Sequence, residues 1–86
     1  MAHADVPEWN PEDDGNGYLY ERLAAHIAAR ITAGDLPPGA RFPNEREMAA
    51  EYGVSIDSVR RATALLREQG LVRTLPNKGT YVRRPE

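Results

Sequence analysis

An 86-residue chain with 41% hydrophobic and 28% charged residues has room for one small domain that buries about 60–65% of its unfolded surface, and no apolar stretch approaches the ~20 residues of a membrane-spanning helix. The absence of cysteine excludes disulfides and thiolate metal sites, and two histidines, His3 and His26, are too few for a metal cage. The net charge of -2 argues against nucleic acid only until it is divided: Asp5, Glu8, Glu12, Asp13 and Asp14 leave residues 1–17 at -5 without a Lys or Arg, and the remainder carries +3.

Residues 1–17 are rich in Pro, Gly, Asn and acidic side chains, with little apolar content beyond Val6 and Trp9. Such a composition cannot offset its own ordering entropy and predicts a disordered acidic tail, with residues 18–86 as the folded domain. Trp9 either packs on the domain, anchors a partner or has no role, and Glu12, Asp13 and Asp14 beside it carry phosphate-like charge. The segment lacks the basic run and apolar core of a secretory signal, so a cytoplasmic protein is expected.

Tyr20, Leu23, Ala24, Ile27 and Ile31 fall at i, i+3, i+4, i+7 and i+11, a stripe that predicts a helix from about Leu19 to Ala33, ended by Gly34. His26 on that helix has no second histidine at ligand spacing and reads as a surface residue. Leu36-Pro37-Pro38-Gly39 breaks the chain, and Arg41 and Phe42 suit a very short strand. Asn44 with Glu47 three residues later forms a capping-box pattern opening a helix from about Glu45 to Tyr52, which Gly53 closes. Ser55 is a good cap for a third helix carrying Val59, Ala62, Leu65 and Leu66 on its core side and stopped by Gly70. Leu71 to Leu75 and Thr80 to Arg83 are β-prone, and Pro76-Asn77-Lys78-Gly79 between them supplies a turn. The expected fold is mainly α with a small β-hairpin wing, a winged helix-turn-helix.

In that arrangement the third helix presents Ser55, Asp57, Ser58 and Arg60 away from the core. Ser55 and Ser58 suit phosphate oxygens near a helix start. Arg60 has the fork to bond guanine or to clamp a phosphate, and the sequence leaves both open. Lys78 suits a minor groove or its rim, and Arg73 and Arg83 extend the cationic footprint. From Ser55 onward seven cations face three carboxylates, a balance that fits duplex DNA. Arg61 reads as a solvated helix residue, Arg46 is also placed to pair with Glu47 or Glu51, and Tyr20 and Tyr52 read as packing residues. No nucleophile stands beside a base and no glycine loop cradles phosphate, so neither enzyme activity nor a cofactor is expected.

From Leu19 to Val82 the chain resembles the N-terminal winged-helix domain of the GntR family of bacterial regulators, most tellingly in AGDLPPGARFPNEREMA, YGVS, SVRRA and GTYV. The resemblance implies a transcription regulator, a repressor, that binds double-stranded operator DNA as a homodimer on an inverted repeat. It places the contacts at Arg46, Ser55, Ser58, Arg60 and the wing residues Asn77, Lys78 and Gly79. Ile56 stands where the family commonly has Arg, and Asn77 where Gly is frequent. Family members normally continue into an effector-binding or dimerisation domain, whereas this sequence stops four residues after Val82, so no small-molecule effector is evident. The competing expectation is a winged helix that docks a protein through its tail or third helix.

Overall fold

Each helix boundary has a local chemical cause. The computed structural model describes residues 6–12 and 17–84, which form α1 (Leu19–Thr32), α2 (Glu45–Tyr52), α3 (Ile56–Glu68), β1 (Val72–Leu75) and β2 (Gly79–Val82). At the start of α1 the Glu21 carboxylate accepts the Tyr18 N–H at 3.1 Å, and Gly34 leaves the helix with φ +85°. The expected box opens α2: the Glu47 N–H donates to Asn44 Oδ1 at 2.8 Å and the Asn44 N–H to Glu47 Oε1 at 3.2 Å. Gly53 then takes the left-handed conformation, φ +67°, which turns the chain into α3 with only Val54 and Ser55 to spare. Ser55 Oγ accepts the Ser58 N–H at 3.0 Å, a cap worth about 1 kcal/mol.

The stripe expected on the first helix buries Leu23, Ala24 and Ile27, with Tyr20 and Ile31 half-buried at its ends. These meet Val59, Ala62 and Leu66 of α3, Met48 and Tyr52 of α2, and Phe42, Val72 and Val82. Leu65, expected in the core, is only half-buried, because Ala62 and Leu66 already hold the centre of that helix face. The hairpin pairs antiparallel, from Val72 opposite Val82 at the core end to Leu75 opposite Gly79 at the tip. The short strand expected at Arg41 and Phe42 is a single bridge, Arg41 to Tyr81, flanked by Phe42 N–H to Thr80 O at 2.8 Å and Val82 N–H to Ala40 O at 2.9 Å. It goes no further because Pro43 has no N–H to give and Asn44 is committed to capping α2.

Residues 6–12 depart from the expectation of a disordered tail. The Trp9 indole N–H donates to the Tyr52 carbonyl at 2.7 Å, one of the C-terminal helix carbonyls that lack intrahelical partners. Its ring lies 5.4 Å from that of His26 and edge-on to Tyr52 at 6.2 Å. The Arg22 guanidinium sits 5.7 Å from the indole centroid and donates to the Asn10 and Pro11 carbonyls. One large aromatic ring with a satisfied N–H outweighs the polar composition around it. His26, expected at the surface, is instead half-buried in this aromatic cluster. The tail acids Asp5, Asp13 and Asp14, and His3, lie outside the described residues.

Beside this cluster Arg30 donates to both Asp35 and the Tyr52 hydroxyl. Burial works against the Arg30 charge, but Asp35 and Tyr52 more than compensate and hold its pKa above the ordinary value. Burial pushes the Tyr52 hydroxyl up, and Arg30 pulls part of that shift back. The folded chain thus favours the neutral phenol. The stability this contributes is fully present below the unfolded tyrosine value near ~10 and is lost as pH rises through the raised folded value.

Replacing Trp9, the single tryptophan, by alanine is expected to cost about 2 kcal/mol, below the range for a fully buried ring because Trp9 is only half-buried. Urea unfolding followed by far-UV circular dichroism measures it. A cost within about 0.5 kcal/mol, typical of surface substitutions, would mean that the segment is not anchored.

Candidate nucleic-acid interface

The exposed side of α3 begins with two serines arranged in series. Ser55 Oγ accepts the Ser58 N–H and gives its own hydrogen to Ser58 Oγ at 3.1 Å. The Ser58 hydroxyl hydrogen is therefore left to donate outward, at a helix start where the backbone amides add positive partial charge.

Arg60 is well exposed and its Nε lies 3.0 Å from Glu45 Oε1, in the first turn of α2. This pair joins the two helices of the helix-turn-helix, yet an exposed pair of this kind is worth only about 0–1 kcal/mol. A phosphate or a guanine edge is able to take the place of Glu45. Arg46 and Arg60 border one shallow depression of about 280 Å³ together with Asn44, Glu45 and Ile56, so two of the expected contact residues converge. Among the described residues Arg46 forms no salt bridge, and Glu51 lies instead against Arg30 at 3.6 Å. Arg61 has the surface role read from the sequence: its Nε meets Asp57 Oδ2 at 2.9 Å and its guanidinium lies 5.9 Å from the Tyr20 ring centroid.

The hairpin tip is a four-residue turn, Leu75 to Lys78, closed by the Lys78 N–H on the Leu75 carbonyl at 3.0 Å. Pro76 occupies its second position and Asn77 its third with φ +64°, the combination of a type II turn. That geometry explains asparagine where glycine is frequent, since Asn tolerates left-handed backbone better than other side chains. Asn77→Ala is expected to cost about 1–2 kcal/mol and Asn77→Gly to be neutral or stabilising; thermal unfolding of the two variants is the check, and equal midpoints would contradict the turn assignment. The Tyr81 hydroxyl donates to the Lys78 carbonyl at 3.1 Å, which braces the exposed tip.

Two further cations were not among the expected contact residues. Arg41 lies across Gly79, its Nε 2.9 Å from where a Cβ on that residue would stand, so the bare backbone of Gly79 seats an arginine beside the wing. Arg67, at the far end of α3, donates to Thr74 Oγ1 at 2.9 Å, and Thr74 Oγ1 shares a hydrogen bond with Thr80 Oγ1 at the same distance. Arg41 and Gly79 lie far apart in sequence, whereas Arg67 meets Thr74 across the turn from α3 into β1, and only the hairpin register, Thr74 opposite Thr80, would have signalled the second.

Between α3 and the wing runs a groove of about 310 Å³, flanked by Arg60, Thr63 and Arg67 on one side and Thr74 and Thr80 on the other, over Phe42, Met48 and Val59. It sets the exposed side of α3 and the hairpin beside one another on one side of the molecule. Asn77 and Lys78 lie beyond the groove at the exposed turn, and Ser55 and Ser58 at the opposite end of the helix. Among the described residues no cluster of His, Cys, Asp or Glu has the makings of a metal site, and no helix is long and apolar enough to cross a membrane.

The family profile of bacterial regulatory proteins of the gntR family matches residues 19–82, from the first residue of α1 to the last of β2. The chain belongs to the gntR family. Among curated gntR relatives, the mannosyl-D-glycerate transport/metabolism system repressor MngR of Escherichia coli is 38% identical over 69 residues, covering 80% of this chain and 29% of that protein. The HTH-type transcriptional repressor NagR of Bacillus subtilis is 34% identical over 68 residues, covering 79% of this chain and 28% of that protein. This gntR chain thus spans less than a third of the length of those relatives. The DNA-binding domain of AraR, solved in complex with operator ORX1, superposes with a TM-score of 0.73 at 28% identity, over 91% of this chain and 94% of that one. The fold is the winged helix-turn-helix of gntR transcription regulators, as expected from the sequence.

Proposed function

We propose that this gntR-family chain binds double-stranded operator DNA sequence-specifically and represses transcription, acting on nucleoid DNA in the cytoplasm as a homodimer on an inverted repeat. The exposed start of α3 enters the major groove and the wing reaches the neighbouring minor groove. Ser55 and Ser58 hold phosphate, Arg46 and Arg60 supply cationic forks at the base edges or the adjoining backbone, and Asn77, Lys78 and Gly79 form the wing contact. The activity is binding, with no chemical step. The single observation that supports this best is the one-sided arrangement of α3 and wing along a shared cationic groove.

Selection of bound fragments from random duplex DNA identifies the operator, and titration of that duplex over a range of salt tests the mechanism. The expected result is an inverted repeat bound with log affinity falling linearly in log salt, with a slope of about -0.9 per phosphate neutralised. Binding that is weak and insensitive to salt, or a single half-site bound as tightly as the full repeat, would overturn the respective part of the reading.

A further inference from the structure

The contacts named so far lie at the two ends of the proposed interface, the start of α3 and the tip of the wing, while the groove between them has chemistry of its own. Three threonines, Thr63, Thr74 and Thr80, bring hydroxyls to it, and Arg60 and Arg67 bring guanidinium groups. The two arginines differ. Arg60 is held by Glu45, the one carboxylate at the groove edge, whereas the only partner of the Arg67 side chain among the described residues is the neutral Thr74 hydroxyl. A guanidinium has five N–H donors in a rigid fork, so most of those on Arg67 remain for an acceptor in the groove. The Thr74–Thr80 pair fixes it there, because a single hydrogen bond links the two hydroxyls across the strands.

We propose that this groove is a further phosphate seat, in which Arg67, steadied by Thr74 and accompanied by Thr63 and Thr80, holds the DNA backbone as it passes from the groove entered by α3 to the groove reached by the wing. The inference rests on the duplex-binding reading and extends it. A strand spanning those two elements must cross the space between them, and the groove offers it donors, a hydroxyl floor and an uncommitted positive charge. Contact with a phosphodiester carries no base information, so Arg67 sets register and affinity and leaves sequence preference alone.

The test uses the full chain and a duplex carrying the sequence that the wild-type chain selects, with affinity measured against salt for wild type, Arg67→Met, Arg67→Lys and Thr74→Val. Arg67→Met is expected to bind on the order of tenfold more weakly and to lose about one unit of salt slope, with the ranking of selected sequences unchanged. Arg67→Lys should keep the slope, and Thr74→Val should keep it too, because the charge remains. Thermal unfolding of Arg67→Met, an exposed residue, should match wild type. Wild-type slope in Arg67→Met, or an equal loss in Thr74→Val, would overturn the proposal and leave Arg67 as a brace for the wing, with duplex binding intact. A wild-type chain that shows no salt-dependent duplex binding would overturn the functional reading and this seat together.

Discussion

Arg60→Ala is expected to weaken binding to the selected operator by roughly 5- to 150-fold, the equivalent of about 1–3 kcal/mol for one bidentate contact. Its stability should stay within about 0.5 kcal/mol of wild type, since the Arg60–Glu45 pair is exposed on both sides and such pairs contribute little. The pattern across operator variants then says which partner Arg60 takes. A base contact relaxes discrimination at one base pair, and a phosphate contact weakens all sequences alike. Glu45 adds a second handle, because DNA must displace its carboxylate from Arg60. Glu45→Gln should therefore bind more tightly at low salt, and a loss of less than twofold in Arg60→Ala would reduce the pair to a solvated surface contact and remove the main reason to place the α3 start on DNA.

Leu66→Ala is the substitution expected to harm the fold most. Leu66 is 0% exposed and sits in the core between α1 and the hairpin, where truncation removes apolar contact and leaves a cavity that helices pinned at both ends cannot close. The cost is about 2–5 kcal/mol, a large share of the stability of a domain this small. For a domain of about this size each kcal/mol lowers the midpoint by about 4–8 °C, so a fall of at least about 8 °C is expected in a thermal melt. A fall of less than about 4 °C would mean that the core is not assembled around this residue.

The helices and the hairpin were legible because their signals are local. The Asn44–Glu47 box, the Ser55 cap, and the glycines at 34 and 53 each act within one turn of chain, and the apolar stripes of α1 and α3 repeat at the helical period. The path of residues 6–12 was not legible, because it depends on one indole finding a carbonyl 43 positions away, and polar composition around Trp9 suggested the opposite. Half-burial of His26 follows from that same long-range event. At the interface, the exposure of Ser55, Arg60 and Lys78 followed from helix spacing and the turn, while Arg46 entered through the family resemblance. The Glu45 partner of Arg60, the seat of Arg41 on Gly79 and the Arg67–Thr74–Thr80 chain did not, since all three are set by how α2, α3, the hairpin and the Arg41 segment that bridges to it pack.

Titration of the isotopically labelled chain with the selected duplex, followed by backbone amide NMR, tests the central claim most directly. The expected result is that the largest shifts fall on Ser55 to Arg60 and on Asn77 to Gly79, with the amides around Trp9 and His26 little changed. Shifts concentrated on Trp9, His26 and Arg30, with the α3 amides unmoved, would contradict it.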